Sequence, residues 1–500
     1  MSRLIKSYLL NTILCLSWIS ILACSSDKEA TPDEPTPVIK TLAANVEKID
    51  FQSAAGTSEF IVTANATNWT VAVSEASWLT FTPATGVSGR TTITVKASEN
   101  TSSAVRTAVI TISSSEVASV KVTVSQAANT GGLYPNYNTN PIAADATGMS
   151  STAVQLAAKM KMGWNIGNTL EATGSETAWG NPKVTKALID LVKANGFNAI
   201  RIPCAWNQYA NGTTAKISEV WLDRVKEVVQ YCVDNDMYVI VNIHWDGGWL
   251  EKNVNEAKKV ENNAKQKAFW EQIATHLRGF DEHLLFASAN EPDVKDAAEM
   301  AVLKSYHQTF IDAVRSTGGK NAYRNLIVQG PSTDIEKTNQ LMTSLPTDSA
   351  ANRMMAEVHF YPYQFTLMTE DADWGKMFYY WGAGNHSTTD PSRNATWGEE
   401  ADVDKFFLMM KTQFTDKGIP VILGEFGAIK RNLTGDALTL HLKSRAAFLK
   451  YVVKQSRVNG MVPFYWDAGN LGTNTMSLFD RSTNTIYDSQ ALTALQDGLK

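Results

Sequence analysis

Cysteine is scarce in this 500-residue chain: there are four, at positions 15, 24, 204 and 232. Neither Cys204 nor Cys232 stands in a metal-type spacing. Both are expected as buried free thiols, with a disulfide between them left open. No Lys/Arg-rich stretch interrupts a net charge of -5, so nucleic acid is not an expected partner. No glycine-rich phosphate loop occurs, which speaks against an open nucleotide-binding sheet. The leading apolar run, Tyr8 to Ala23, falls short of the ~20 residues of a membrane-spanning helix. What is present is an ordinary globular composition, 44% apolar. The chain is too long for one compact core, so at least two domains are expected.

The first residues do not belong to the fold. Arg3 and Lys6 precede the apolar run, and Cys24-Ser25-Ser26 follows it. This is the pattern of a bacterial secretion signal. Ile21-Leu22-Ala23 resembles a lipoprotein cleavage box, which implies loss of residues 1–23 and lipid on Cys24. The expected location is the outer membrane, on its cell-surface face. A plain signal peptide or an anchor helix is the alternative reading. The acidic, proline-rich segment 24–39 reads as a solvated tether.

Residues 40–127 show short segments of period two: "SEFIVTA", "WTVAVS", "WLTFT", "RTTITVKA", "RTAVITIS" and "SVKVTVSQ". Turn residues such as "PATGVSGR" separate them. About seven short strands of this kind predict an immunoglobulin-like β-sandwich. "ASWLTFTPATG" and the closing "VTVSQAA" resemble the BACON domain, a module found in front of many Bacteroidetes glycan-degrading proteins. Trp69 shares a face with Val71 and Val73 and is expected in the core. Trp78 is ambiguous, and an exposed indole there would offer a sugar platform. A spacer role is the expectation. The segment 128–150, with "NTGGLYPNYNTNP", reads as a linker.

From 151 to 500 the pattern changes. "MGWNIGNT", "FNAIRIP", "YVIVNIHW", "LLFASANE", "NLIVQGP", "MMAEVHFY", "PVILGEFG" and "MVPFYWDA" read as buried strands, with amphipathic helical stretches between them. Eight strand–helix repeats predict an α/β fold, a (β/α)8 TIM barrel. Chemistry in such a barrel gathers at the C-terminal strand ends. Those ends deliver Arg201, His244 with Trp245, Asn290 with Glu291, His359 with Tyr361, Glu425, and Trp466. Paired carboxylates across a cleft are the usual means of cleaving a glycosidic bond. One must hold a proton for the leaving oxygen, and the other must be ionised to attack the anomeric carbon.

"GWNIGNTLEA", "AWGNP", "RIP", "NIHWDGGW", "ANEP", "VHFYPYQFT", "ILGEFGA" and "FYWDAGN" occur in this order over 151–500. In this set the chain resembles glycoside hydrolase family 5, and in fine pattern its subfamily 4 of endo-β-1,4-glucanases. The resemblance implies Glu291 as acid/base and Glu425 as nucleophile of a retaining mechanism. It implies that Asn290 binds the 2-hydroxyl of the cleaved sugar and that Arg201 and Tyr361 hydrogen-bond Glu425. His244 and His359 would line the subsite, and Trp466 would form its floor. Trp206, Trp245 and Trp249 are further candidates for sugar contact, with packing as the alternative for Trp206, Trp249 and Trp466. The long segment from 363 to 400 carries Trp374, Tyr379, Tyr380, Trp381 and Trp397, a candidate wall for sugar rings. Trp245 stands where many relatives carry a second histidine, Cys204 where valine is common and Ala468 where asparagine is frequent. These departures leave the fine substrate preference open.

The expected protein is thus a monomeric endo-glucanase without metal or organic cofactor. Xyloglucan is its first expected substrate, mixed-linkage glucan or cellulose the second and β-mannan the third. A glycan-binding surface protein with a dead barrel would lack one of the two glutamates. A metal-dependent hydrolase would need a His-x-His or His-x-x-x-His near a strand end, and none occurs.

Overall fold

The computed structural model describes residues 39–500 except 75–76, 103 and 130–131. The leader, Cys24 and all of the tether but its last residue lie outside the described residues. Eight parallel strands close into a barrel: Gly163–Ile166, Ala199–Ile202, Tyr238–Asn242, Leu284–Ala287, Leu326–Gln329, Met354–Phe360, Val421–Phe426 and Met461–Asp467. They are called strands one to eight below. Each lies within one of the eight expected segments. They are apolar on both faces because one face fills the barrel and the other meets the surrounding helices. Helix Glu219–Val233 shows the complementary stripe, burying Trp221, Leu222, Val225, Val228, Val229 and Cys232. Cys204 and Cys232 are both buried and free.

The N-terminal end of the barrel is plugged. Helix Ala153–Lys159 is started by a capping box between Thr152 and Gln155. Its Ala153, Leu156 and Ala157 pack with Ile240, Leu285, Ile327, Met355, Ile422, Val462 and Phe464 inside the barrel. The interior is therefore dry and apolar below and turns polar towards the other end.

The N-terminal domain is a seven-stranded, mostly antiparallel sheet folded around its own core. Two expected segments, "SEFIVTA" and "WTVAVS", form one strand, Gly56–Val73, whose register shifts between Ala64 and Asn68. The expected turn "PATGVSGR" also differs, because Thr85–Ala97 is strand throughout. Gly86 lies against the Trp69 indole, where a Cβ would come within 1.9 Å of the ring. A residue that marks a turn in sequence is here the one that lets a strand pass a buried tryptophan. Trp69 is buried and donates its indole N–H to the Val87 carbonyl at 3.0 Å. Trp78 is 9% exposed, with the Arg106 guanidinium 4.6 Å above its ring. Neither tryptophan presents an open face to a sugar.

The linker is docked on the barrel. Tyr134 and Tyr137 pack against the barrel's hydrophobic core. Tyr137 donates its hydroxyl to the Thr214 carbonyl at 2.6 Å and its backbone N–H to Glu271 at 2.8 Å. Ile142–Ala144 pairs with Gly318–Gly319 as a short parallel ladder.

Candidate active site

The polar layer at the C-terminal end is built around Arg201 on strand two, a side chain with no solvent exposure. Its Nε lies 3.0 Å from Glu357, and Nη1 donates to Glu425 at 2.8 Å and to Asn165 at 3.0 Å. Nη2 donates to Asn290 Oδ1 at 2.9 Å. One guanidinium thus ties strands one, six and seven to Asn290 beyond strand four, meeting two carboxylates through separate nitrogens.

Glu425 reaches this layer through a local irregularity. Along strand seven, Ile422 faces the barrel interior and Leu423 the outer core. Simple alternation would turn Glu425 outward with Leu423. The registers with strands six and eight both shift between Leu423 and Phe426, leaving one extra residue on strand seven. This bulge re-aims the carboxylate inward. Gly424 makes room for it, because a Cβ there would come within 2.1 Å of Glu357 Oε1. Tyr361 donates its hydroxyl to Glu425 Oε2 at 3.2 Å.

Glu291 follows strand four, with its side chain 41% exposed towards the cleft. Its Oε1 lies 2.7 Å from His359 Nδ1, and Thr333 Oγ1 donates to the same oxygen at 3.5 Å. Ser332 and Thr333 are held at positive φ, 53° and 47°, the kind of backbone strain that collects at functional sites. His359 turns its other nitrogen on Glu357, at 3.2 Å.

These contacts set the charges. Burial opposes a charged His359, but Glu425, Glu291 and Glu357 outweigh it and push its pKa up to about 10. Burial likewise works against ionised Glu357, which Arg201, His359 and Gln329 hold below the ordinary carboxylate value. Glu425 is pushed up by burial and by the neighbouring Glu291 and Glu357 charges, against the pull of His359 and Arg201. Glu291 is held down, against burial, by its hydrogen bond to His359 and the His359 and Arg201 charges. His244 is lowered by burial and by Arg201 and His359, so it is neutral, and it stacks on Trp466 at 5.7 Å.

Glu291, Thr333, Asp334, His359, Tyr361, Tyr363, Glu425, Trp466 and Met476 are among the residues lining a cleft of about 420 Å³. Single ligating atoms of Glu291, His359 and Glu425 all lie within 4.8 Å of one another. These are the residues that would hold a cation. Both His359 nitrogens are already turned on carboxylates, which occupies the lone pair a metal would need.

Several expected contacts are corrected. Trp206 is fully buried, with its indole N–H on the Asn242 carbonyl at 2.9 Å, so it packs and does not touch a ligand. Trp249 donates to Asp246 at 2.9 Å and lies edge-on to Phe269, packing the segment after strand three against helix Lys259–Leu277. Trp245 is half-buried beside His244 and carries the Lys252 ammonium 5.8 Å over its ring, and its expected sugar contact is not among those corrected. Arg201 is too deep to meet substrate and acts through Glu425, Glu357 and Asn290. In the 363–400 segment, Tyr380 and Trp381 belong to the core, and Tyr379 lies between Arg393 and Arg431. Trp374 and Trp397 are the exposed aromatics of that set, with Tyr363 joining Trp374 to the cleft. Glu357 and Glu251 were not singled out in the sequence. Glu357 stands two residues before His359, on the same strand face, and that spacing is the signal that could have found it.

A closed (β/α)8 barrel with two carboxyls this close at the ends of strands four and seven is the architecture of a glycoside hydrolase. The profile of the cellulase family, glycosyl hydrolase family 5, matches residues 165–472. That of the viral BACON domain matches residues 41–129. A xyloglucan-specific endo-β-1,4-glucanase of Bacteroides ovatus is 36% identical over 97% of this chain and 96% of its own. The structure of a B. ovatus family 5 xyloglucanase in complex with a XXXG heptasaccharide superposes with a TM-score of 0.67. It is 34% identical, over 92% of this chain and 100% of that one. A family 5 xyloglucan-specific β-1,4-glucanase from a ruminal metagenomic library, bound to XXLG, gives 0.64 at 38% identity over 70% and 96%. The chain belongs to glycosyl hydrolase family 5, a family of retaining endoglucanases, and its N-terminal domain to the BACON type.

Proposed function

We propose that this protein is a xyloglucan-directed endo-β-1,4-glucanase in which Glu425 attacks the anomeric carbon and Glu291 serves as acid and then base. The observation that carries the reading is the approach of the two carboxyls to within 4.8 Å. Retaining enzymes hold their carboxyls at ~5–5.5 Å, too close for the water of an inverting reaction. Xyloglucan is favoured by the substrate named for the Bacteroides ovatus enzyme that aligns with 97% of this chain and for the B. ovatus structure that covers 92% of it.

The proton for the leaving oxygen lies in the 2.7 Å hydrogen bond between Glu291 and His359. In the open cleft it rests on His359. A sugar ring that displaces water from Glu291 favours the neutral acid there, and the proton crosses. Glu425 stays ionised through Arg201 and Tyr361 and forms the glycosyl-enzyme. Asn290, its Oδ1 held by Arg201, offers its amide N–H to the sugar 2-hydroxyl, and Trp466 supports the ring from below. Glu291, now the base, activates the water that releases the sugar.

The chain is further read as a monomeric lipoprotein: residues 1–23 are removed, Cys24 carries lipid, and the domain 40–127 with its linker spaces the barrel from the outer membrane. What supports this is the leader pattern before Cys24. Cys24→Ala should abolish radiolabelled palmitate incorporation, and a labelled variant would sink the anchor.

The function is tested with wild type and Glu425→Ala on xyloglucan, mixed-linkage glucan, carboxymethyl cellulose and mannan, sizing the products. Large oligosaccharides from xyloglucan, absent with the variant, are expected. Faster cleavage of the unbranched glucans would overturn the substrate and keep the mechanism, whereas unchanged activity of the variant would overturn the nucleophile.

A further inference from the structure

Glu251 is a carboxylate that the mechanism above leaves unused. It stands in the segment after strand three, and its Oε2 accepts two hydrogen bonds from the acid side of the site. Asn290 Nδ2 donates to it at 3.2 Å and the Glu291 backbone N–H at 3.3 Å. The segment is latched there, because the Asp293 N–H donates to the Glu251 carbonyl at 2.8 Å. Asn290 is therefore fixed at both ends: Arg201 donates to its Oδ1, and Glu251 accepts one of its two amide hydrogens. The amide cannot flip, and its second hydrogen is left for the sugar.

We propose that Glu251 is the positioning residue of the acid side: it orients the Asn290 amide, pins the Glu291 backbone, and by its charge helps retain the proton shared by Glu291 and His359. The inference rests on the assignment of Glu291 as the acid. The charged groups facing Glu251 are Glu291 beyond strand four and Glu425 on strand seven, with Arg201 of strand two acting on Asn290 from its far side. Lys252, next in the chain, turns its ammonium to the Trp245 ring instead. Burial and the Glu291 charge push the Glu251 carboxyl up to about 7. Its negative charge consequently develops as the pH rises through neutrality, where a neighbouring anion resists loss of the proton shared by Glu291 and His359.

Glu251→Gln keeps an acceptor oxygen and removes the charge, whereas Glu251→Ala removes both. The test compares pH profiles of kcat/KM on xyloglucan with those on an aryl β-cello-oligosaccharide whose dinitrophenolate departs without protonation. The full mature chain is used, with Glu291→Gln as control. For Glu251→Gln the basic limb on xyloglucan should move to lower pH by roughly half to one unit. At pH 7 kcat/KM should fall about fivefold to tenfold, with the aryl glycoside changed by less than about twofold. Glu251→Ala should lose kcat on both substrates, because Asn290 is also released. A basic limb that stays in place for Glu251→Gln, while Glu291→Gln discriminates between the substrates, overturns the role of Glu251 and leaves the acid assignment standing. Equal losses on both substrates for Glu291→Gln overturn the acid assignment and this proposal with it.

Discussion

Arg201 has no contact with water, so its charge is compensated entirely by what surrounds it. Glu357 and Glu425 supply the anions, at 3.0 and 2.8 Å, and Asn165 and Asn290 accept from Nη1 and Nη2. Breaking a buried pair is costly because the surviving charge stays desolvated. Glu357→Gln should therefore destabilise the barrel by about 3 kcal/mol, read as a displaced chemical-denaturation midpoint followed by tryptophan fluorescence. A midpoint equal to wild type would mean that Glu425 alone suffices to hold Arg201. Residues at this depth also mark the limit of sequence reading. Arg201, Glu291, His359, Tyr361 and Glu425 were legible because a strand-end position and an ordered motif set pointed to them. Glu357 was hidden two strand residues deeper, in the apolar-looking run "MMAEVHF". Trp206 was misread because a tryptophan beside a strand end looks the same in sequence whether its indole N–H meets a ligand or the Asn242 carbonyl.

At the scale of elements, the bulge on strand seven is what a period-two pattern cannot show. The sequence "VILGEF" alternates so that Glu425 falls on the outer face, and the extra residue at Gly424 reverses it. The long strand Gly56–Val73 carries a similar irregularity, which sequence patterning divided into two strands. Gly424 serves two ends, since it permits the bulge and leaves the space that Glu357 fills. Gly424→Ala should force the Cβ against Glu357 or push strand seven outward, in either case displacing Glu425. A shift of about 1 Å at a reacting group costs on the order of a hundredfold. The expected result is a hundredfold lower kcat on xyloglucan with KM close to wild type, and a wild-type kcat would show that the bulge absorbs the methyl group. Helices Glu219–Val233 and Ala297–Ser316, in contrast, were legible as amphipathic stripes, because their burial follows the 3.6-residue period, whereas Lys259–Leu277 is buried continuously over 268–274 and shows no such stripe.

Over the whole molecule, chemistry and stability occupy opposite ends of the barrel. The C-terminal end spends its polar groups on the cleft, while the N-terminal end is closed by helix Ala153–Lys159 and a polar clasp around Glu282. That carboxyl accepts from Ser151 N–H at 2.8 Å, Ser151 Oγ at 2.7 Å and Lys159 Nζ at 2.7 Å. It joins the docked linker, the plug helix and the segment leading into strand four. Burial works against its ionised form, but the Lys159 and Ser151 hydrogen bonds outweigh it and lower its pKa from 4.5 to about 2. A depressed folded pKa contributes stability that is fully present above 4.5 and is lost as the pH falls towards 2. Allowing for solvent at the half-exposed Lys159, the contribution is about 2 kcal/mol at neutral pH. Glu282→Gln should accordingly melt several degrees below wild type at pH 7, with the gap narrowing through pH 4 and closing only below about pH 2. Other carboxylates titrate over the same range in both proteins, so the difference between the two melting curves isolates Glu282. A gap of constant size would assign the clasp's effect to hydrogen bonding that a neutral side chain loses equally at every pH, and would remove the Lys159 charge from the account of how the barrel floor is held.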